Sequence, residues 1–248
     1  VTYSESYNQA IGVPEVPGST FKLASLMALL EDGKVSLQDK VNAKGSYHFF
    51  GKKMDDSNNG YGYGEITVQT AFEKSSNVFT QIVNDAYSSD PHAYIRRLKE
   101  FGLADPLGIS IVGEREPVMH EPGQGSWSGL SLPWMAVGYE FLQTPLQTLA
   151  FYNAVANNGI LLRPQFVKEI YRGNDLETEF TPYILNPRIC SNKTVRDLQL
   201  CLKGVMTRGT GRKIQSPYFD IAGKTGTAHI VDVNGSSTSA KKYQASFV

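Results

Sequence analysis

The first sustained apolar pattern in the chain follows a Pro-Gly pair: Leu23, Leu26, Met27 and Leu30 recur at helical spacing. This run predicts a largely buried helix that opens at Ser19 as its N-terminal cap and stops at Gly33. Helical spacing resumes at about 68–74, 78–86 and 91–101, and a last helix is predicted over about 194–207. Thr144-Pro145 opens another helix, with Leu146, Leu149, Ala150 and 152–156 on its apolar side and Asn157-Asn158-Gly159 as its stop.

Between these helices lie stretches rich in turn formers. Residues 47–64, with Asp-Ser-Asn-Asn-Gly-Tyr-Gly-Tyr-Gly inside them, read as a long surface loop, and 113–133 as an irregular Gly/Pro/Ser-rich segment of the length that often carries function. Residues 220–231 and 241–248 are strand-like. The second alternates Tyr243, Ala245 and Phe247 against Gln244, Ser246 and Val248, and Asn234-Gly235 is a turn signal between the two. The predicted fold is α+β, one domain over 1–248. A mostly helical lobe (about 19–207) packs against an antiparallel sheet lobe ending in a hairpin (about 219–248), with a cleft between them.

Composition narrows the function. The 24 basic residues equal the 24 acidic ones, so no cationic surplus favours a nucleic-acid or anionic-membrane partner. The N-terminal sequence Val-Thr-Tyr-Ser-Glu-Ser lacks the basic and apolar regions of a signal peptide, and no apolar run reaches the ~18–20 residues of a membrane span. Cys190 and Cys201 are too few for a disulfide framework, and no Cys/His cluster has zinc spacing.

The chemistry lies in three short motifs: Pro17-Gly18-Ser19-Thr20-Phe21-Lys22, Ser75-Ser76-Asn77, and Gly223-Lys224-Thr225-Gly226-Thr227. Each alone is weak. Ser239 to Lys242 also reads S-x-x-K, and Ser6-Tyr7-Asn8 and Ser57-Asn58-Asn59 also read S-x-N. Taken singly, Ser19 reads as a helix cap, Ser75 and Asn77 as a loop capping pair, and 224–227 as an exposed hairpin strand. Lys-Thr-Gly, however, occurs once, and only Ser19 both follows a Pro-Gly turn and opens a helical run. The ordered triplet outlines a serine acyltransferase.

A serine hydroxyl needs a base within about 2.6–3.2 Å to act as a nucleophile at neutral pH. Ser19 and Lys22 are three apart and share a helix face, so the amine can serve if burial and cationic neighbours such as Lys224 lower its pKa. Ser75 offers a hydroxyl to pass a proton to a leaving amine, and Asn77 an amide to hold a substrate carbonyl or the base. Lys224 is a fixed cation, Thr225 and Thr227 are hydroxyl donors, and Gly226 leaves the strand open to close approach by a substrate backbone ending in a carboxylate. The amides of Ser19 and Thr227 are the candidates for an oxyanion hole. His48, His92, His120 and His229 read as surface or packing histidines, and Trp127, Trp134, Tyr61 and Tyr63 as core or loop-packing residues.

These motifs in this order are shared by penicillin-binding proteins and class A β-lactamases. With Gln143-Thr144-Pro145-Leu146-Gln147, Ala156-Asn157-Asn158-Gly159, Arg208-Gly209-Thr210-Gly211 and Ala222 to Ala228, most of the chain resembles the transpeptidase domain of the monofunctional, class B penicillin-binding proteins. The resemblance implies a Ser19 acyl-enzyme formed from peptidoglycan stem peptides ending in D-Ala-D-Ala, trapped by β-lactam antibiotics, with no metal or organic cofactor. It also implies cell-wall synthesis or division membrane proteins among the partners. The implied location is the periplasmic face of the inner membrane, with anchoring by an N-terminal segment absent from this chain. The family's domain has strands before its nucleophile helix and a helix after its Lys-Thr-Gly hairpin, so the 248 residues read as part of a longer protein.

Three rival functions use the same motifs. A serine β-lactamase needs a base to activate the deacylating water, and no Glu-x-x-Leu-Asn element lies between Asn77 and Lys224; Glu114, Glu116 and Glu121 read as loop residues. A D,D-carboxypeptidase would use water as acceptor, and a β-lactam sensor would use acylation as a signal.

Overall fold

The computed structural model describes residues 8–230 and 242–248. The Asn234-Gly235 turn, the Ser239 copy of S-x-x-K, and Ser6 and Tyr7 lie outside them. After a single turn, α1 (Gln9–Gly12), the chain enters the 3₁₀ turn Gly18–Phe21, which runs directly into α2 (Lys22–Glu31). Every residue from Lys22 to Leu29 is buried. The helix ends as expected: Gly33 (φ 61°) donates to Leu30 O at 3.1 Å and Lys34 to Leu29 O at 2.9 Å, a Schellman stop that needs the left-handed glycine. Ser19, by contrast, caps nothing. It sits inside the 3₁₀ turn, where the Lys22 amide already bonds the Ser19 carbonyl, so its hydroxyl is left for the Lys22 side chain.

Four strands follow: β1 (Lys40–Ala43), β2 (Ser46–Phe49), β3 (Lys52–Asp55) and β4 (Gly64–Thr67), with β1 paired to β4 and β2 to β3, all antiparallel. The loop expected over 47–64 is therefore strand for much of its first half. Tyr47 and Phe49 are buried while His48 between them is exposed, the period-two alternation of a half-buried strand. The Asn/Gly cluster that suggested a loop occupies 56–64, between β3 and β4, with Gly64 opening β4.

Helices α3 (Val68–Glu73), α4 (Phe79–Tyr87) and α5 (Pro91–Glu100) form where the apolar spacing places them. The irregular stretch contains only β5 (Val118–Met119) and the start of α6 (Ser131–Met135), and β5 pairs with β6 (Phe141–Leu142). Helix α7 (Pro145–Ala156) opens on a capping box in which Thr144 Oγ1 accepts from the Gln147 amide and Gln147 Oε1 from the Thr144 amide. Its inward face differs from the expected one, because Gln147 and Thr148 are buried and Leu149 is 46% exposed. The strands β7 (Leu161–Leu162), β8 (Glu169–Arg172), β9 (Asp175–Glu179) and β10 (Ile184–Asn186) were not expected: β7 pairs with β10, and β8 and β9 form a solvent-exposed hairpin.

Helix α8 (Asn192–Thr207) is capped by Ser191, and the antiparallel pair β11 (Thr225–Ile230) and β12 (Lys242–Phe247) closes the described chain. The region between Ser19 and Thr207 thus interleaves helices with short strands, and the architecture is α+β. Helix α2 is central to the core, packed by α4, α5 and α8, while β11 lies against the Gly18–Phe21 turn. That contact brings the first and third motifs to one edge.

Candidate active site

The nucleophile turn is held from several sides. Thr20 Oγ1 donates to Pro17 O at 2.8 Å, and the buried Tyr152 hydroxyl of α7 donates to Thr20 O at 2.7 Å. Gly18 takes φ 55° and lies against the Thr227 carbonyl and Ala228, and Gly138 closes the other side; a Cβ on Gly138 would stand 2.3 Å from Gly18 O. The turn is therefore seated between the strand and the 135–139 segment, with no room for a Cβ at Gly138 and only a tight fit for one at Gly18, whose φ already favours glycine.

From this turn Lys22 points into the interior, where it is fully buried. Its Nζ lies 3.0 Å from Ser19 Oγ, 2.8 Å from Ser75 O, 2.7 Å from Asn77 Oδ1 and 3.4 Å from Ser75 Oγ. The Ser75 carbonyl and the Asn77 amide oxygen can only accept, so they take two N–H groups. A neutral amine then has its lone pair left for the Ser19 hydroxyl proton. Burial pulls the Lys22 pKa down to about 7, with the buried carboxylate of Asp56 pulling in the other direction. The base state is thereby accessible near neutrality.

Ser75 sits at the C-terminus of α3 in the left-handed region, φ 57°. Its amide donates to Phe72 O at 3.0 Å and that of Ser76 to Ala71 O at 2.9 Å, so a serine occupies the position usually taken by glycine in a Schellman stop. The reversal aims the Ser75 carbonyl and hydroxyl at Lys22. Asn77 is fixed by Asp55 and Asp56: its Nδ2 donates to Asp55 O at 2.8 Å and its amide to Asp56 Oδ1. The Asn77 side chain thus serves the base.

Lys224, also fully buried, approaches from β11 and donates to Ser75 Oγ at 2.8 Å and Thr225 O at 3.0 Å. Burial, and after it the nearby Lys22, hold its pKa well below that of an ordinary lysine. Lys224 and Val248 exchange both backbone bonds, at 2.8 and 3.1 Å, so by ladder alternation Thr225 and Thr227 turn their amides away from β12. The Thr227 amide thus lies on the edge of β11 that packs against the Gly18–Phe21 turn. Thr225 Oγ1 is paired with Thr210 Oγ1 at 2.5 Å, and Thr227 is exposed. Gly226 does not open the strand to substrate: a Cβ there would meet Ser246 Oγ at 2.4 Å and Thr20 Cγ2 at 2.9 Å, so the glycine lets β11 lie on the nucleophile turn.

The structure brings Ser19, Lys22, Ser75, Asn77 and Lys224 into one hydrogen-bonded network and places Thr225 and Thr227 beside it. Sequence reasoning missed Asp56, which lay in the presumed loop, and Glu73, which sits two residues before Ser75. Glu73 is 2% exposed; its carboxylate accepts from Arg208 and from Gln69 Nε2 at 2.9 Å, and its carbonyl from the Thr210 amide at 3.2 Å. It ties the second motif to Arg208-Gly209-Thr210-Gly211. The buried acid beside Ser75 was a usable signal, because Glu73 directly follows Ala71-Phe72 on an apolar helix. His120 pairs with Glu140 at 2.9 Å, His48 and His92 are exposed, and Glu114 accepts the amides of Leu107 and Ile109, so none of these enters the network. Trp127, Trp134 and Tyr63 pack on the core, while Tyr61 is exposed.

Comparison with known proteins follows the same lines. The family model described as the penicillin binding protein transpeptidase domain matches residues 3–248. Penicillin-binding protein PbpB of Mycolicibacterium smegmatis is 30% identical over 234 residues, 91% of this chain and 35% of the relative. Peptidoglycan D,D-transpeptidase MrdA of Acinetobacter baumannii is 25% identical over 239 residues, 92% of this chain and 35% of that protein. The chain thus spans about a third of the length of these relatives. Among solved structures, the D,D-transpeptidase domain of a peptidoglycan glycosyltransferase from Eggerthella lenta superposes with a TM-score of 0.81 at 25% identity, covering 90% of this chain and 56% of that one. Penicillin binding protein 3 of Mycobacterium tuberculosis, complexed with ampicillin, gives 0.80 at 26%, covering 97% and 53%.

Proposed function

Because the chain belongs to the penicillin-binding protein transpeptidase family, we propose that it is a peptidoglycan D,D-transpeptidase domain that works through a Ser19 acyl-enzyme. The observation that carries this reading is the Lys22 amine, buried, 3.0 Å from Ser19 Oγ and held by two pure acceptors, Ser75 O and Asn77 Oδ1. Ser19 Oγ attacks the carbonyl of the terminal D-Ala-D-Ala peptide bond while its proton passes to Lys22. The amides of Ser19 and Thr227 stabilise the developing oxyanion. As the C–N bond breaks, a proton reaches the departing D-alanine amine through the Ser75 hydroxyl, which lies between Lys22 and Lys224. An amine of a neighbouring stem peptide then attacks the ester, restoring Ser19 and forming the crosslink.

The hydroxyls of Thr225 and Thr227, set beside Lys224, suit the terminal carboxylate of the donor. A β-lactam offers the same carbonyl and carboxylate and acylates Ser19 without a leaving group that can diffuse away. The relative named a peptidoglycan D,D-transpeptidase and the ampicillin-bound neighbour support this reading. We place the site on the extracytoplasmic side of the membrane, where peptidoglycan is, with cell-wall synthesis or division membrane proteins as its partners.

The test is acylation of the full-length protein by a labelled penicillin, followed by peptide mapping and a donor–acceptor stem-peptide assay. The expected adduct is on Ser19, persists for many minutes after drug removal, and is accompanied by amine-dependent crosslinked product. An adduct on Ser75 would overturn the nucleophile. Release within seconds would indicate a β-lactamase, hydrolysis without crosslinking a carboxypeptidase, and acylation without turnover of peptide a sensor.

A further inference from the structure

The buried carboxylate of Asp56 lies one layer behind the network. It is 3% exposed, and its backbone is fixed at both ends: its amide donates to Gly45 O at 2.8 Å, and its carbonyl accepts from Gly60 at 3.1 Å. The two carboxylate oxygens are directed at the second motif. Oδ2 accepts from Ser76 Oγ at 2.9 Å, and Oδ1 accepts from the Asn77 amide and stands 3.2 Å from Ser76 Oγ. Ser76 Oγ in turn accepts from the Val78 amide at 3.1 Å, which leaves its own proton for Asp56. This grip holds Asn77 and Ser76, the residue between the Ser75 carbonyl and the Asn77 side-chain amide that Lys22 touches.

We propose that Asp56 is a positioning residue of this site, a buried carboxylate that holds the Ser75-to-Asn77 turn through Ser76 and Asn77. The inference rests on the acyl-transfer reading of Ser19 and Lys22. Burial pushes the Asp56 carboxyl up, while its bonds from Asn77 and Ser76 and the charge of Lys22 pull it back down; once ionised, it in turn favours the protonated Lys22. The other titratable groups around the pair are Lys224 on the Lys22 side and Asp55, Tyr47 and Tyr63 on the Asp56 side. Asp56 thus opposes the burial that discharges Lys22 and extends to higher pH the range over which the amine carries a proton that it can return to the leaving group.

The experiment compares Asp56→Asn and Ser76→Ala with wild type in the full-length protein, reading the rate of penicillin acylation against pH together with thermal unfolding. Asn keeps the shape and one acceptor but removes the charge. Its acylation maximum should fall, and its acidic limb should move to lower pH by roughly half to one unit, the scale of a nearby unit charge in a partly screened interior. Ser76→Ala removes the hydroxyl that joins Asp56 to the turn and keeps the carboxylate, so its rate should fall with the limb unmoved. Identical limbs in wild type and a folded Asp56→Asn would overturn the electrostatic role; an unchanged rate would overturn the positioning role. Should Asp56→Asn fail to fold, the coupling is read from the other end, by NMR titration of the Asp56 carboxyl in wild type and Lys22→Met: removing the cation should raise its pKa, and no change would overturn the proposal. Failure of wild type to acylate at Ser19 would instead sink the acyl-transfer reading on its own.

Discussion

Lys224 Nζ lies 2.8 Å from Ser75 Oγ, and Lys224 is fully buried, so the amine of the third motif ends on the hydroxyl of the second and does not reach the molecular surface. A substrate carboxylate would meet Thr225 and Thr227 before it met this amine. Lys224→Ala should therefore slow acylation by about 10²-fold or more, the scale of a lost proton-transfer partner, for penicillins and for their carboxylate esters alike. Thr225→Val should discriminate, weakening acylation by the free acid by about 1.5–3 kcal/mol, the range for hydrogen bonds to a charged group, while sparing the ester. Second-order acylation rates of both ligands check this; a Lys224→Ala protein that still acylates normally with the ester would make Lys224 the carboxylate anchor.

The second prediction concerns pH. With a folded-state pKa near 7, Lys22 is charged below neutrality and free to accept a proton above it, so acylation should rise as pH increases through about 7. Lys22→Arg keeps the cation but not the basicity, because guanidinium stays protonated at these pH values. Its acylation should be about 10²-fold slower or worse, and the rise through neutrality should vanish. Stopped-flow rates across this range, on protein with a native circular-dichroism spectrum, decide the point.

How far the sequence could be read follows from how local each feature is. Ser19 and Lys22 are one helical turn apart, and Lys224 to Thr227 occupy one strand, so spacing alone aligned them. Tyr47 and Phe49 formed a strand that a loop reading absorbed, because two inward residues beside a dense Asn/Gly cluster give little period-two signal. The strands between Leu161 and Asn186 carry exposed apolar residues such as Ile170, Tyr171 and Leu176, so no inward face marked them. Asp56 and Glu73 act across the fold, on Asn77 and Arg208, and nothing in their neighbours' spacing foretells that partner. The capping role read for Ser19 failed for a similar reason: its partner is a side chain chosen by burial of Lys22.

The third prediction tests the seat of the nucleophile turn. A Cβ at Gly138 would stand 2.3 Å from Gly18 O and 2.8 Å from Gly18 N, and Gly138 has φ 88°. Gly138→Ala combines a left-handed backbone with overpacking against main chain and should cost at least ~2 kcal/mol. It should also lower acylation in whatever folds, since Gly18 adjoins Ser19. Gly173, with φ 65° and nothing within 4 Å, is the control: Gly173→Ala bears the backbone strain alone, about 1 kcal/mol, with acylation unchanged. Paired urea unfolding and acylation measurements separate the two, and equal effects at both glycines would remove the packing argument.

The last prediction separates the backbone of Ser75 from its hydroxyl. Ser75 holds φ 57°, a left-handed conformation that costs a residue with a Cβ roughly 1–2 kcal/mol, yet the Schellman stop of α3 and the bond from Lys22 to its carbonyl both depend on it. Ser75→Gly removes the hydroxyl and the strain together, whereas Ser75→Ala removes the hydroxyl and keeps the strain. The glycine variant should be the more stable of the two by about 1 kcal/mol, with some of that gain offset by the greater freedom of glycine in the unfolded chain. Both should lose proton relay to the leaving group to the same extent, so turnover of stem peptide should fall together in the two proteins. Lys22 retains its carbonyl partner in both, so the rise of penicillin acylation through neutral pH should survive in each, at reduced amplitude. Urea unfolding combined with peptide turnover reads both effects. A glycine variant no more stable than the alanine one would mean that the left-handed turn is not strained. Turnover that differs between them would mean that the shape of the turn matters to the chemistry independently of the hydroxyl.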